Sequence, residues 1–419
     1  MITKIIVLKF LIKICVKLKL LLIEKNVIFK IKYNIRMKLL FIILILFAIL
    51  LFIRENFYKK KIKIENFISY YEFKDKYKHK LFYKNILKNK IKTNFSSNAD
   101  LIIKNAFDKK AFKNQKPNTI ITGNVDINKI DYKDMLWYLI LKKYGLNNAI
   151  KMIPESRILK NNNYIKFINE NKNSYFILKR NMEDGKGLFI SNKKETIIET
   201  LESDQGNKRP YVIIQKIIPN PYLISKKTFK IRIYLIICCK NKKLQFFISR
   251  YGYVAYSKNN WDKNKVNYKN VMASPHWNED YLLKTKGNYN SKIKKLEKEY
   301  QKKPIFLKDF KKYMLTKGID YDRNIHNQVR HKMKMILKSV DFNKDYNSVI
   351  VSGIDLMLDD ELNLYIIEIN RSPGTTPYNF IKKLKDKEFK EKIEIYTDSF
   401  HLMFPKKFRF YNSIERLDI

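Results

Sequence analysis

Glycine and proline are scarce in this chain, ten of each in 419 residues, and cysteine is scarcer, with three. Those three, Cys15, Cys238 and Cys239, allow no disulfide framework and match no metal-binding spacing, so a reducing compartment is the simpler expectation. Acidic residues are also few: 40 Asp and Glu stand against 86 Lys and Arg, a formal charge of +46. Such an excess draws polyanions, whether nucleic acid, anionic lipid or acidic protein tails. There is no zinc-finger spacing and no RNA- or DNA-binding signature, so a specific nucleic-acid partner is not expected. Internal repeats are absent as well. Few Gly and Pro beside abundant Lys, Asn and Ile is also what an AT-rich coding sequence produces whatever the function, so charge alone does not name the partner. What the chain does have is 45% hydrophobic residues, enough for a buried core in two or three lobes and too many for a largely disordered polymer.

The longest apolar run is LLFIILILFAILLFI at 39–53, without a charge. As a helix it would reach roughly 22 Å, short of a hydrocarbon core of about 30 Å, which suggests a short membrane anchor or signal-type segment, with a buried helix as the alternative. Upstream, Lys9, Lys13 and Lys17 recur every four residues, as on one face of an interfacial amphipathic helix. Met37 and Lys38 before the run also look like a start of translation, which would make residues 1–36 an upstream extension. With that start the basic excess follows the run, and the positive-inside rule keeps the main domain cytoplasmic, tethered through 39–53.

Residues 54–129 read as a connector and N-terminal region, helical and partly irregular up to about 115. At 131–144, DYKDMLWYLILKKY has helical apolar spacing and stops at Gly145, a glycine C-cap. Strand-like runs follow at 175–178, 211–215, 229–239, 244–249, 349–358 and 364–369, with a lysine-rich helical or loop insertion at about 259–344. Strands and helices do not alternate strictly, so the expected class is α+β: a central lobe over 130–220, a C-terminal lobe over 221–400, and a tail over 401–419.

The strongest chemical signal is VSGIDLMLDDELNLYIIEINRSPG, residues 351–374, two strands joined by the polar turn 359–363. Period-two alternation puts Glu368 and Asn370 on one face, and a hairpin register brings Asp355 opposite them. Two carboxylates and an amide oxygen are the hard donors that Mg²⁺ prefers beside nucleotide phosphates. Glu368 lies among Ile366, Ile367 and Ile369, where an unpaired carboxylate would be costly. Earlier, YFILKRNMEDGKGLFIS ends a strand in Lys179 and continues into a loop with Gly185, Lys186 and Gly187, which can set a cation and backbone amides against phosphates.

Gly-x-Asp, a polar turn, then Ile-Glu-x-Asn-x-x-Pro resembles the C-terminal signature of the tubulin-tyrosine ligase family, of the ATP-grasp fold. MLWYLILKKYG, MIPESRIL and YVIIQKIIPNPYLISKKTFKIRIYLII are similar to other family blocks, in the same order. The resemblance covers roughly residues 130–380 and implies an ATP-grasp architecture of two α+β lobes clamping ATP. It implies that Asp355, Glu368 and Asn370 hold two magnesium ions, that Lys179 and Lys186 touch phosphate, and that Gln215, Lys216, Ile217 and Ile218 form a hinge whose backbone reads adenine. It implies that Arg232 and Arg250 face the phosphates and the acceptor. Lys230 stands where the family has an acidic residue, Thr228 where it has a lysine that Lys227 could replace, and only Ser274 and His276 lie near the place of the family's His-Leu-Thr-Asn motif.

The activity so implied is an ATP-dependent ligase joining Glu, Gly or Tyr to a protein carboxylate through an acyl phosphate. Its partners would be a free amino acid and an acidic tail such as the tubulin C-terminus, and a monomer is expected. An ATP-grasp ligase or kinase for another substrate, and an inactive binding module favoured by Lys230, remain as alternatives.

Overall fold

In the computed structural model the described residues are 69–72, 80–87, 91–92, 99–103, 118–123, 125–160, 163–181, 187–274, 291–292, 294–295, 298, 303–371, 373–375, 382–405 and 407–419. They all belong to the unit Phe67–Ile419. The apolar run 39–53, the basic stretch before it, Cys15, Gly185, Lys186 and His276 lie outside the described residues. Among the described residues no helix is long and apolar enough to cross a membrane.

Among the described residues, the strands are β1 Ser69–Glu72, β2 Ile91–Lys92, β3 Leu101–Ile103, β4 Ile120–Thr122, β5 Ser156–Ile158, β6 Phe176–Arg180, β7 Leu188–Ser191 and β8 Tyr211–Lys216, followed by β9 Phe229–Lys240, β10 Lys243–Ser249, β11 Tyr253–Tyr256, β12 Ser348–Leu358, β13 Leu364–Asn370 and β14 Ile414–Leu417. They form two sheets. The larger runs β14-β10-β9-β12-β4-β3-β1-β2, with β11 also beside β9 and β13 beside β12. The smaller runs β5-β8-β6-β7 and is antiparallel throughout. Each of the six expected strands is present within one or two residues of its expected ends.

β9 shows why the larger sheet is central. Its residues are buried on both faces, and alternate side chains enter different cores: Ile231, Ile233, Leu235 and Ile237 one, Tyr234, Ile236 and Cys238 the other. The first core is covered by the helices Lys133–Tyr144, through Leu136, Trp137 and Ile140, and Asn327–Lys338, through Val329, Met333 and Ile336. The second is covered by the helix Lys382–Met403, through Ile395, Tyr396 and Phe400. Cys238 and Cys239 are buried free thiols. The smaller sheet carries its own core of Phe167, Phe176, Leu178, Ile197 and Ile214.

The helix Lys133–Tyr144 ends at Gly145, whose φ of 73° is the left-handed stop that glycine adopts at little cost. Two regional expectations are corrected. The stretch read as a helical connector supplies β1, β2 and β3, which with β4 extend the larger sheet in parallel, β4 pairing with β12. Those strands are only two to four residues long, too short for an alternating pattern to stand out. The segment read as a tail contributes β14, antiparallel to β10, and Asp398 fixes it by accepting from the Ser413 amide at 2.7 Å.

Trp137 is 1% exposed and joins its helix to the first core. Trp137→Ala should lower the unfolding free energy by about 3–5 kcal/mol, the usual cost of deleting a buried aromatic. Equilibrium denaturation measures it, and a loss below about 1 kcal/mol would show that this helix is not docked through Trp137.

Candidate functional site

The antiparallel registers put four residues in one row across four strands: Tyr253 opposite Arg232, Arg232 opposite Asp355, and Asp355 opposite Glu368. Paired residues of neighbouring strands project from the same face, so sheet pairing alone places both carboxylates together. One step along, Asn370 pairs with Gly353, and a bulge follows Asp355. The turn between β12 and β13 is closed by Asp359, whose Oδ1 accepts from the Asn363 amide at 2.7 Å.

Asp355 is fully buried. Arg232 engages it through Nε on Oδ1 and through Nη2 on Oδ2 at 2.9 Å, and Lys230 Nζ donates to Oδ2 at 2.6 Å. Burial by itself would push the Asp355 carboxyl up, but the Arg232 guanidinium and the Lys230 ammonium outweigh it and hold the group well below the usual carboxylate range. Glu368 is a quarter exposed; its Oε1 accepts from Asn370 Nδ2 at 3.1 Å, and Lys133 Nζ is 3.7 Å from Oε2.

Lys179 on β6 faces this row from the smaller sheet. Its Nζ donates to Gln215 Oε1 at 2.5 Å, and the Gln215 amide is fixed in turn by donating to Ser156 Oγ at 2.9 Å and to the Pro154 carbonyl at 3.2 Å. Burial pulls the Lys179 ammonium down to about 8; Glu368 opposes the fall most, Lys133 and Lys230 add to it, and Asp355 opposes it. Groups from the two sheets therefore act on one another electrostatically: Lys133, Lys179, Lys230 and Arg232 lie about Asp355 and Glu368, and Asp131, paired with Arg371, adds a third carboxylate that acts on Glu368 and Lys133.

The remaining expected residues lie elsewhere. Arg250 is exposed at the end of β10, with Nε 3.5 Å from the Ile414 carbonyl, and is not in this network. Lys227 is held in a turn by the carbonyls of Ser257, at 3.2 Å, and Lys258. Gly187 has φ 71° and abuts Arg180, whose Nη1 is 3.0 Å from Asp204 Oδ2. In the segment expected to form a hinge, the amides of Lys216 and Ile217 already donate to the carbonyls of Glu155, at 2.8 Å, and Tyr175, at 2.9 Å, so neither is open to a base. Lys216, Ile217 and Ile218 also line a cavity of about 780 Å³ with Met152, Lys332 and Tyr365.

Sequence reasoning missed Lys133, Ser156 and Asn181. Asn181 Oδ1 accepts from the Lys133 amide at 2.9 Å, tying the end of β6 to the first turn of the helix that carries Lys133. Their only signals were a lysine at a helix start and the serine of MIPESRIL, neither specific alone.

The sequence profile of the Tubulin-tyrosine ligase family matches residues 110–399. The chain belongs to that family. Among relatives of the tubulin-tyrosine ligase family, it is 28% identical to Tubulin glycylase 3C of Tetrahymena thermophila over 213 residues, 48% of this chain and 18% of the relative. It is 26% identical to Probable tubulin polyglutamylase ttll-9 of Caenorhabditis elegans over 196 residues, 46% of this chain and 44% of the relative. It is 26% identical to Probable tubulin polyglutamylase TTLL2 of Homo sapiens over 260 residues, 56% of this chain and 38% of the relative. The chain thus spans less than half the length of each of these relatives.

The magnesium sites implied by tubulin-tyrosine ligase membership can be tested against the donors present. Glu368 and Asn370 suit one divalent ion better: the Glu368 carboxylate is reachable from solvent, and turning over the Asn370 amide, whose Nδ2 now donates to Glu368 Oε1, would set two hard oxygen donors side by side. Asp355 does not suit a second. It is fully buried, and three donors from two cations fill three of the about four lone-pair sites on its oxygens. Among the described residues no group of three or more His, Cys, Asp and Glu gathers to hold a metal.

Gly353 makes room for Arg232, since a Cβ there would lie 2.8 Å from Nη1 and 3.1 Å from Cδ of a side chain that Asp355 holds in place. Gly353→Ala should cost about 1–3 kcal/mol, the usual penalty for overpacking. A thermal melt checks this, and an unchanged midpoint would show that the Arg232 side chain is free to move aside.

Proposed function

We propose that this chain is an ATP-dependent carboxylate–amine ligase that adds an amino acid, Glu, Gly or Tyr, to a carboxylate of an acidic protein tail of the tubulin kind. The observation that carries this reading is the convergence of Lys179 from one sheet with Lys230, Arg232, Asp355 and Glu368 from the other. Membership of the family supports it, as do the names of relatives that modify tubulin. A formal charge of +46 suits an acidic acceptor and makes its encounter salt-sensitive.

In the proposed reaction an acceptor carboxylate oxygen attacks the γ-phosphorus of ATP, and the bond to the bridging oxygen breaks, releasing ADP. The amine nitrogen of the incoming amino acid then attacks the acyl carbon of the resulting acyl phosphate, inorganic phosphate leaves, and the nitrogen loses a proton. No enzyme nucleophile is needed. The work of the protein is positioning and charge neutralisation. Lys179, fixed by Gln215 and Ser156, would hold the phosphates, and Arg232, fixed by Asp355, would meet charge that develops on the transferring group. A divalent ion bound through Glu368 and Asn370 would add neutralising charge beside the phosphates.

The full chain, incubated with ATP, Mg²⁺, tubulin and each labelled amino acid in turn, should transfer at least one of Glu, Gly and Tyr, and Glu368→Gln should reduce transfer by about 10²-fold or more. Transfer of none of the three would overturn the reading.

Lys179 supplies a pH test with a defined sign. Its folded value of about 8 lies below the usual 10.5, so over that window the unfolded chain binds more protons and stability rises with pH. Phosphate affinity runs the opposite way, because the ammonium is lost as pH rises through about 8. Affinity for an ATP analogue should therefore fall by up to about tenfold per pH unit above that point, and Lys179→Gln should bind weakly with no such slope. Equal slopes in the two proteins would remove Lys179 from phosphate contact.

A further inference from the structure

Lys230 occupies a position that its own strand fixes. It precedes Arg232 by two residues on β9, so both side chains leave the sheet on the same face, and the register sets Arg232 directly opposite Asp355. Lys230 Nζ lies 2.6 Å from Asp355 Oδ2, and its side chain is only 15% exposed. Asp355 belongs to the Gly-x-Asp that resembles a magnesium-binding motif, yet the partners it has are an ammonium and a guanidinium. A magnesium ion seeks oxygen at about 2.0–2.1 Å and would have to displace that ammonium against two neighbouring positive charges.

Resting on the reading that this site takes ATP, we propose that the Lys230 ammonium stands in for a divalent cation at Asp355. Nucleoside triphosphate then binds with a single divalent ion, at Glu368 and Asn370, and part of the charge that neutralises the phosphates is covalently attached to the protein. A chelator cannot remove that part. Lys230, Arg232 and Lys179 together leave the site positive before any metal binds, so nucleotide should still bind when metal is withheld.

The test measures binding of a non-hydrolysable ATP analogue to the full chain with Mg²⁺ and with excess chelator, and counts bound Mn²⁺ by electron paramagnetic resonance in the presence of the analogue. The wild-type chain should bind one Mn²⁺ and lose less than about tenfold in nucleotide affinity on chelation. Lys230→Asp should bind a second Mn²⁺ and lose about 10²-fold or more on chelation. Lys230→Gln is the companion variant should the aspartate fail to fold; it should weaken nucleotide binding in chelator more than in Mg²⁺. Two Mn²⁺ on the wild-type chain, or loss of nucleotide binding on chelation as severe as in Lys230→Asp, would overturn the proposal. No binding of the analogue under any condition would instead overturn the ATP reading on which it rests, so the two failures are distinct.

Discussion

A carboxylate with no exposed surface, inside a sheet, is the constraint around which the site is arranged. An unpaired charge at Asp355 would cost several kcal/mol in desolvation, and removing one member of such a buried pair generally costs about 3–5 kcal/mol. The chain meets the cost with geometry: Arg232 is the cross-strand neighbour of Asp355, and the missing side chain at Gly353 leaves its guanidinium space to lie alongside. Lys230 then completes the set of donors. Moving β9 by one residue against β12 would turn Arg232 to the opposite face and strand the carboxylate, so the ion pair and the apolar alternation specify the same register.

The second sheet contributes by a different device. Lys179 is fixed by a relay of neutral groups, Gln215 and Ser156, that ends on the Pro154 carbonyl. Neutral partners hold a side chain without cancelling its charge, which keeps the ammonium available to an anion. Asp355 is treated in the opposite way, with its charge fully answered. Lys179 is thus a cation that is positioned and Asp355 an anion that is consumed, and the anion lies close enough to favour the protonated form of the cation.

Much of this was legible in the residues. The six strands expected between 175 and 369 show apolar runs long enough to stand out, and the hairpin of 351–374 combines alternation with a polar turn, so the pairing of Asp355 with Glu368 is legible in the sequence. Lys230 was visible as a departure, but its meaning needed the register that puts it on the same carboxylate as Arg232. The short strands β1 to β5, β7, β11 and the terminal β14 were not legible, because two to four residues cannot display a period, and β4 and β14 also have partners far away in the chain. Lys133 and Ser156 were missed for the same reason: each gains its role from a residue on another element.

The separation of partners has a temporal side. Arg232 and Asp355 are 123 residues apart. At a synthesis rate of about 5–20 residues per second, β9 emerges roughly 6 to 25 s before the strand that completes it. During that interval one of the most apolar strands of the chain has an open edge, a standing invitation to pair wrongly. The cluster Lys240, Lys242 and Lys243 at the β9–β10 turn places repulsive charge at one end of that edge. Like charges at the turn oppose the edge-to-edge approach of a second copy while the sheet waits for its centre.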